Sequence, residues 1–379
     1  MFNVENPTVA IERCHGYEPA TVSEQIHRLL AHFGGLETFV RPGMTVLLKP
    51  NFLSAKEPKY AVTTHPEIVA AVGKEVRALG ARVRIGDSPG GAKRGIRNVW
   101  KSTGMLEMAE RENFELVPFE SSGVVRYQIE DREYFLARPA AEADLIINLP
   151  KLKTHVLTLM TGGIKNLFGL VPGFRKATYH KQFPKPDEFA QVVVDILSLM
   201  PPALTILDGV LAMEGDGPSS GQPRWVNLLI ASKDAVALDA VAAEIIGLDP
   251  GKVPTTRIAS EAGLGIGWPE AINIAGEKIS DVKVPDFKLT SNKRLSLIPK
   301  FLVKLIDPYV WVRPAIDSDL CTRCNTCVNS CPVGALSNSD HSTPTFNYEI
   351  CINCWCCHEM CPEKSVYIDR SWLAKKFIR

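Results

Sequence analysis

Eight of the ten cysteines in this 379-residue chain fall in two copies of one spacing, Cys321-x2-Cys324-x2-Cys327-x3-Cys331-Pro332 and Cys351-x2-Cys354-x2-Cys357-x3-Cys361-Pro362. Thiolates at i, i+3 and i+6 can wrap three irons of one cubane, while the cysteine before proline leaves toward a second cubane. The spacing therefore predicts two [4Fe-4S] clusters with crossed ligand sets. Cys321, Cys324, Cys327 and Cys361 would hold one, and Cys351, Cys354, Cys357 and Cys331 the other. Paired C-x2-C also builds zinc ribbons, but a zinc site takes four ligands and has no use for the third cysteine or the proline. Of the two remaining cysteines, Cys356 sits between expected ligands and Cys14 lies alone near the N-terminus. Both read as structural thiols, with a substrate-facing role left open for Cys356.

A second constellation is basic. From Leu145 to Pro186 there is no Asp or Glu, yet the stretch holds Lys151, Lys153, His155, Lys165, Arg175, Lys176, His180, Lys181 and Lys185. Solvated lysines usually alternate with acids, so 42 acid-free residues interspersed with Gly162-Gly163, Gly169 and Gly173 predict a mobile loop that holds an anion, a phosphate or a carboxylate. Glycines let backbone N–H groups approach such a ligand. His155 and His180, with an unperturbed pKa near working pH, are the expected proton donors. The alternative is that the same patch docks the cysteine-rich segment, since residues 312–370 carry seven acids against four bases. Asp208-Gly209 opens a further glycine-rich stretch, Met213 to Gly221, with Glu214 and Asp216. Its carboxylates suit metal ligation, general base work or pairing with lysines. No G-x4-G-K-[ST] occurs, and Gly263-x-Gly265-x-Gly267 is not a dinucleotide fingerprint, which removes support for a nucleotide-hydrolysing motor or an ordinary NAD-binding domain.

The elements that must position these residues alternate. Val46–Leu48, Val83–Ile85, Leu145–Ile147, Leu204–Leu207, Leu228–Ile230 and Ile272–Ile274 read as short buried strands, and Pro66–Leu79, Asp187–Leu199 and Ala235–Ile246 as amphipathic or buried helices. That alternation predicts an α/β fold with a largely parallel sheet and flanking helices, plus a small C-terminal α+β two-cluster ferredoxin domain. Four strands run into polar ends: Lys49-Pro50-Asn51, Gly86 to Gly91, Asn148 to His155, and Asp208-Gly209. Ligands of open parallel sheets bind outside the carboxyl ends of the strands, so these ends sketch one site. The expected organisation is an α/β domain over 1–285, an apolar connector over 286–311, the ferredoxin domain over 312–370 and a basic tail over 371–379. The connector either lies on a membrane surface or folds the ferredoxin domain back onto the strand ends.

A net charge of +1 argues against bulk nucleic-acid binding. No stretch reaches the length of a membrane span and the first residues lack a signal-peptide pattern, so a cytoplasmic protein is expected, in a compartment that keeps thiols reduced.

The run Lys49-Pro50-Asn51, the block Leu152-Lys153-Thr154-His155 with Gly162-Gly163-Ile164-Lys165-Asn166-Leu167-Phe168-Gly169, the later Lys176 and His180, and Asp208-Gly209 with Glu214-Gly215-x-Gly217-Pro218 resemble domain-of-unknown-function family 362 over roughly residues 8 to 285. The resemblance implies the α/β architecture fused to a bacterial-type ferredoxin module, and no substrate. Side-chain chemistry leaves two functions. One is a redox enzyme that passes low-potential electrons to an anionic substrate or cofactor held by Lys49, Asn51, Lys151, Lys153, Lys165, Asn166 and Lys176, with Asp208 and Glu214 nearby and His155 or His180 donating protons. The other is a non-catalytic electron-transfer or assembly protein whose basic loop docks a partner. Both require a redox partner protein as donor or acceptor.

Overall fold

Short β-branched and leucine-rich runs bounded by turn residues become strands because alternate side chains can be buried on the two faces of one sheet. The computed structural model of the protein describes residues 6–89, 95–173, 175–290, 311–339 and 342–372. Its strands are β1 (Thr8–Arg13), β2 (Thr45–Pro50), β3 (Arg82–Ile85), β4 (Glu115–Leu116), β5 (Val124–Ile129), β6 (Arg132–Ala137), β7 (Leu145–Leu149), β8 (Lys151–His155), β9 (Leu159–Thr161), β10 (Leu204–Glu214), β11 (Gln222–Ser232) and β12 (Asn273–Gly276). The main sheet has the order β12-β1-β11-β10-β7-β2-β3-β4, and β8 pairs with β10 and β9. Its centre, from β10 through β7, β2 and β3 to β4, is parallel. Antiparallel β11 separates β10 from β1. The α/β class with a mostly parallel sheet therefore holds.

Both faces are covered. Val46 and Leu48 of β2, with Ile147 and Leu149 of β7, pack against Ile26, Leu29, Ile68 and Val72 of helices Pro19–Ala31 and Pro66–Ala78. Leu47 and Ile146, one residue out of phase, point into the opposite core with Phe189, Val193 and Val236 of helices Pro186–Leu199 and Ala235–Ile245. This alternation marks a sheet buried on both sides, so its strands read as continuous apolar runs.

Three expectations are corrected. Asp208 is not at a strand end, because β10 runs eleven residues and continues through it to Glu214. The acid-free stretch is not a loop: it forms β7, β8, β9 and the helices Gly163–Asn166 and Arg175–Gln182. Three of its six lysines, Lys151, Lys153 and Lys165, are inside the protein, where each carboxylate would need its own partner. β1 and the β5–β6 hairpin were not expected at all. Gly90, Gly91, most of the connector (291–310) and the basic tail beyond Trp372 lie outside the described residues.

The C-terminal module pairs β13 (Val312–Ile316) with β16 (Val366–Arg370) and β14 (Leu336–Ser337) with β15 (Thr345–Phe346), with short helices Thr326–Ser330 and Cys356–Met360 inside. It is folded back on the α/β domain. The Ser219 hydroxyl donates to the His358 carbonyl at 3.1 Å, the Lys56 ammonium donates to the Pro362 carbonyl, and Arg370 approaches Asp216 at 3.4 Å.

Candidate functional site

The lysines divide into two kinds. Lys49 and Lys151 are fully buried and each has its own carboxylate: Lys49 Nζ lies 2.7 Å from Asp87 Oδ1 and Lys151 Nζ 2.8 Å from Asp208 Oδ2. Asp208 also accepts from the Tyr17 hydroxyl at 2.8 Å and from the His65 backbone N–H at 3.0 Å. Glu214 accepts from the Lys288 N–H at 3.1 Å. These side chains are satisfied from within, as buried charges must be, and of them only Asp87 lines the cavity described next. The Lys49–Asp87 pair also explains Gly169, where a Cβ would fall 1.8 Å from Asp87 Oδ1 and 2.6 Å from Lys49 Nζ.

The second kind, Lys153, Lys165 and Lys176, lines a cavity of about 80 Å³ outside the ends of β2, β3 and β8. One water needs roughly 10–15 Å³ on this measure and drug-sized ligands several hundred, so the space suits a small anion and excludes a nucleotide. Lys153 Nζ donates to Asn51 Oδ1 at 2.8 Å and to the Val62 carbonyl at 2.7 Å, leaving one ammonium proton uncommitted. Asn51 Nδ2 donates to Asn166 Oδ1 at 2.9 Å, and Asn166 Nδ2 to Asn148 Oδ1 at 2.8 Å, an amide chain that fixes the floor. Lys165 is held over the Phe168 and Phe189 rings at 4.9 and 5.0 Å. Lys176, half-buried, donates to the Ser88 carbonyl. Burial pushes all three ammonium groups down, Lys153 to about 7 and Lys176 to about 8.

Both histidines are here, and burial lowers both. Burial lowers His180, stacked on Phe189 at 4.2 Å, to about 3, and it also lowers His155. His155 Nδ1 accepts from the Leu157 and Thr158 N–H groups at 3.0 and 3.2 Å, which places the ring proton on Nε2. Burial disfavours the charged form of both expected proton donors, and Lys153, lowered to about 7, and Lys176, lowered to about 8, are further groups that can titrate near neutral pH.

The roof comes from the C-terminal module. Cys356, Glu359 and Met360 of helix Cys356–Met360, with Ser330, close the cavity. Glu359 Oε1 lies 3.0 Å from His155 Nε2, in a contact too bent for a hydrogen bond and therefore electrostatic. Burial would raise the Glu359 carboxyl, but the adjacent His155 and the Lys165 ammonium hold it well below the usual carboxylate range. Cys356 thus faces the cavity, whereas Cys14 is buried in the α/β core.

Sequence reasoning missed two residues. Glu359 was counted only in an acidic total. Asp239, on helix Ala235–Ile245, is 1 % exposed and accepts from the Gly163 and Ile164 N–H groups at 2.5 and 3.1 Å, anchoring the helix that carries Lys165 and Asn166. A Cβ on Gly162 would fall 2.1 Å from Asp239 Oδ1. The available signal was a lone acid in an otherwise apolar helix face.

The cysteines group across the two motifs. Cys331 joins Cys351, Cys354 and Cys357 around one small cavity. Burial and then the neighbouring Cys361, Cys324 and Cys321 push the Cys327 thiol up to about 11, and Cys327 and Cys361 share one core. Among the described residues these thiols are not drawn into a closed metal-ligand set, and their neighbourhood across the two motifs is what the crossed spacing expects of iron–sulfur ligands.

An α/β domain with such a module docked on its strand ends defines an iron–sulfur protein of ferredoxin-type electron transfer, and residues 314–337 match a 4Fe-4S binding domain. The chain belongs to the family described as Domain of unknown function (DUF362), matched over residues 46–244. It is 37% identical to a thylakoid-associated protein of Synechocystis sp. over 74% of this chain and 91% of that protein. Its C-terminal part is 33% identical to the pyruvate synthase subunit PorD of Methanothermobacter marburgensis, over 15% of this chain and 67% of the subunit. Among solved structures, the lactate racemase apoprotein of Thermoanaerobacterium thermosaccharolyticum aligns at a TM-score of 0.42 and 12% identity over 65% of this chain and 57% of its own. Among the described residues, no helix is long and apolar enough to cross a membrane.

Proposed function

We propose that the protein is a two-cluster iron–sulfur oxidoreductase that reduces a small anionic substrate or cofactor in the lysine-lined cavity. One observation carries this: the helix that roofs the cavity, Cys356–Met360, also bears an expected cluster ligand, Cys357, and runs directly into another, Cys361. Clusters held by the crossed cysteine sets would supply single electrons at low potential. Asn51 and Asn166 orient the anion, Lys165 and Lys176 stabilise its negative charge, and Lys153 donates the proton. Phe52, Phe168 and the docked module exclude bulk water. A reducing, cytoplasmic setting and a partner protein that feeds the clusters belong to the same proposal.

One observation favours the carrier reading. Glu359 already meets the basic cavity, which makes part of its charge a docking device for the module. The two readings separate in anaerobic protein reduced with dithionite. The enzyme reading expects small carboxylates or oxyanions to reoxidise the clusters, and Lys153→Met to abolish this while iron content stays unchanged. Reoxidation only by partner proteins, at the same rate in the variant, leaves the carrier.

A further inference from the structure

Two buried lysines of this fold come with a carboxylate, Lys49 with Asp87 and Lys151 with Asp208. Lys153, Lys165 and Lys176 do not: the polar contacts they make go to Asn51, Val62 and Ser88, and to aromatic rings. The other ionisable groups around the cavity are Asp87, neutralised by Lys49, the two neutral histidines, the thiol of Cys356 and the carboxylate of Glu359. With all three amines protonated, three ammonium groups face one free carboxylate, an excess of two positive charges around about 80 Å³. Uncompensated buried charge is costly, so a site that persists with it is built for a ligand that brings the missing counter-charge.

We infer that the cavity selects small doubly charged anions over singly charged ones, with Lys153, Lys165 and Lys176 as the selecting groups. The substrate class is then a small dicarboxylate or an oxyanion of phosphate type. This rests on the proposed anion site and narrows it. Three cations from three separate elements, β8 and helices Gly163–Asn166 and Arg175–Gln182, surround such a ligand and cannot all be neutralised by one negative charge.

The test uses anaerobically purified full chain and two probes, sulfate and nitrate, titrated calorimetrically at pH 6.5. Sulfate is expected to bind one per chain with a Kd at least tenfold lower than that of nitrate. Lys165→Met and, independently, the half-buried Lys176→Met should each erase most of that preference, with iron content and circular dichroism verifying the fold. Equal affinities for the two anions would overturn the inference and keep the anion site. Absence of binding by either anion would remove both. If the variants shift the reduction potential of the clusters but leave sulfate affinity unchanged, the lysines serve as counter-charge to the clusters and the inference falls.

Discussion

Raising the pH from 6 to 8 should weaken anion binding by about twentyfold, with Lys153 carrying about tenfold of it. Its ammonium is pushed down to about 7 by burial, with Lys165 and Lys151 adding and Glu359 opposing. A ligand that requires the protonated amine sees an apparent Kd multiplied by one plus the ratio of neutral to charged lysine. That factor is about 1.1 at pH 6 and about 11 at pH 8, a loss of roughly 1.4 kcal/mol. Lys176, lowered to about 8, adds about a further factor of two at the upper end. His180, lowered to about 3, stays neutral in this range, and Glu359 stays ionised. Affinity is therefore nearly full below about pH 6 and is lost as pH rises through the lysine values. Calorimetry with sulfate, whose charge is constant between pH 6 and 8, measures this directly. Lys153→Met should bind more weakly at pH 6 and show only about a twofold further loss by pH 8. A flat profile in the parent protein, or an undiminished slope in the variant, would refute the assignment of Lys153.

Asp239→Ala should strand two buried N–H groups and lower stability by about 2–4 kcal/mol, read as a fall in unfolding midpoint, while loosening Lys165 enough to weaken sulfate binding. Asp239→Asn, which keeps one acceptor oxygen but sets its amide N–H2 against the other backbone N–H, should restore only part of either. Anaerobic protein should hold about eight irons and eight sulfides, and Cys331→Ser should damage the cluster held by Cys351, Cys354 and Cys357, seen as selective loss of one electron paramagnetic resonance signal. Damage confined to the motif that contains the substitution would rule out crossed ligation.

The fold was legible where apolar runs were long and bounded. Val46–Leu48, Leu145–Ile147 and the helices at Pro66 and Asp187 appear within a residue or two of their expected bounds. β1 escaped notice because its pairing is wholly tertiary, with strands more than 200 residues away. The acid-free stretch pointed to the right residues and the wrong local structure: charge pattern reports where carboxylates are missing, and says nothing about whether lysines are buried in strands or lie on loops. Which lysines are satisfied internally was also invisible, since Asp87 and Asp208 become partners only when the strands lie side by side. Glu359 could not be placed at all, because its role depends on how the module docks.

The most direct test of the central claim, that the anion cavity and the clusters form one electrostatically coupled site, is a potentiometric titration of the clusters followed by electron paramagnetic resonance, with and without sulfate. Negative charge placed in the cavity opposes electron entry, so sulfate should move at least one cluster to a lower potential. By linkage, reduced protein should then bind sulfate more weakly, with tenfold in Kd corresponding to about 59 mV for one electron. Identical potentials with and without saturating sulfate, in protein shown to bind it, would contradict the coupling and leave the clusters without a role at the cavity.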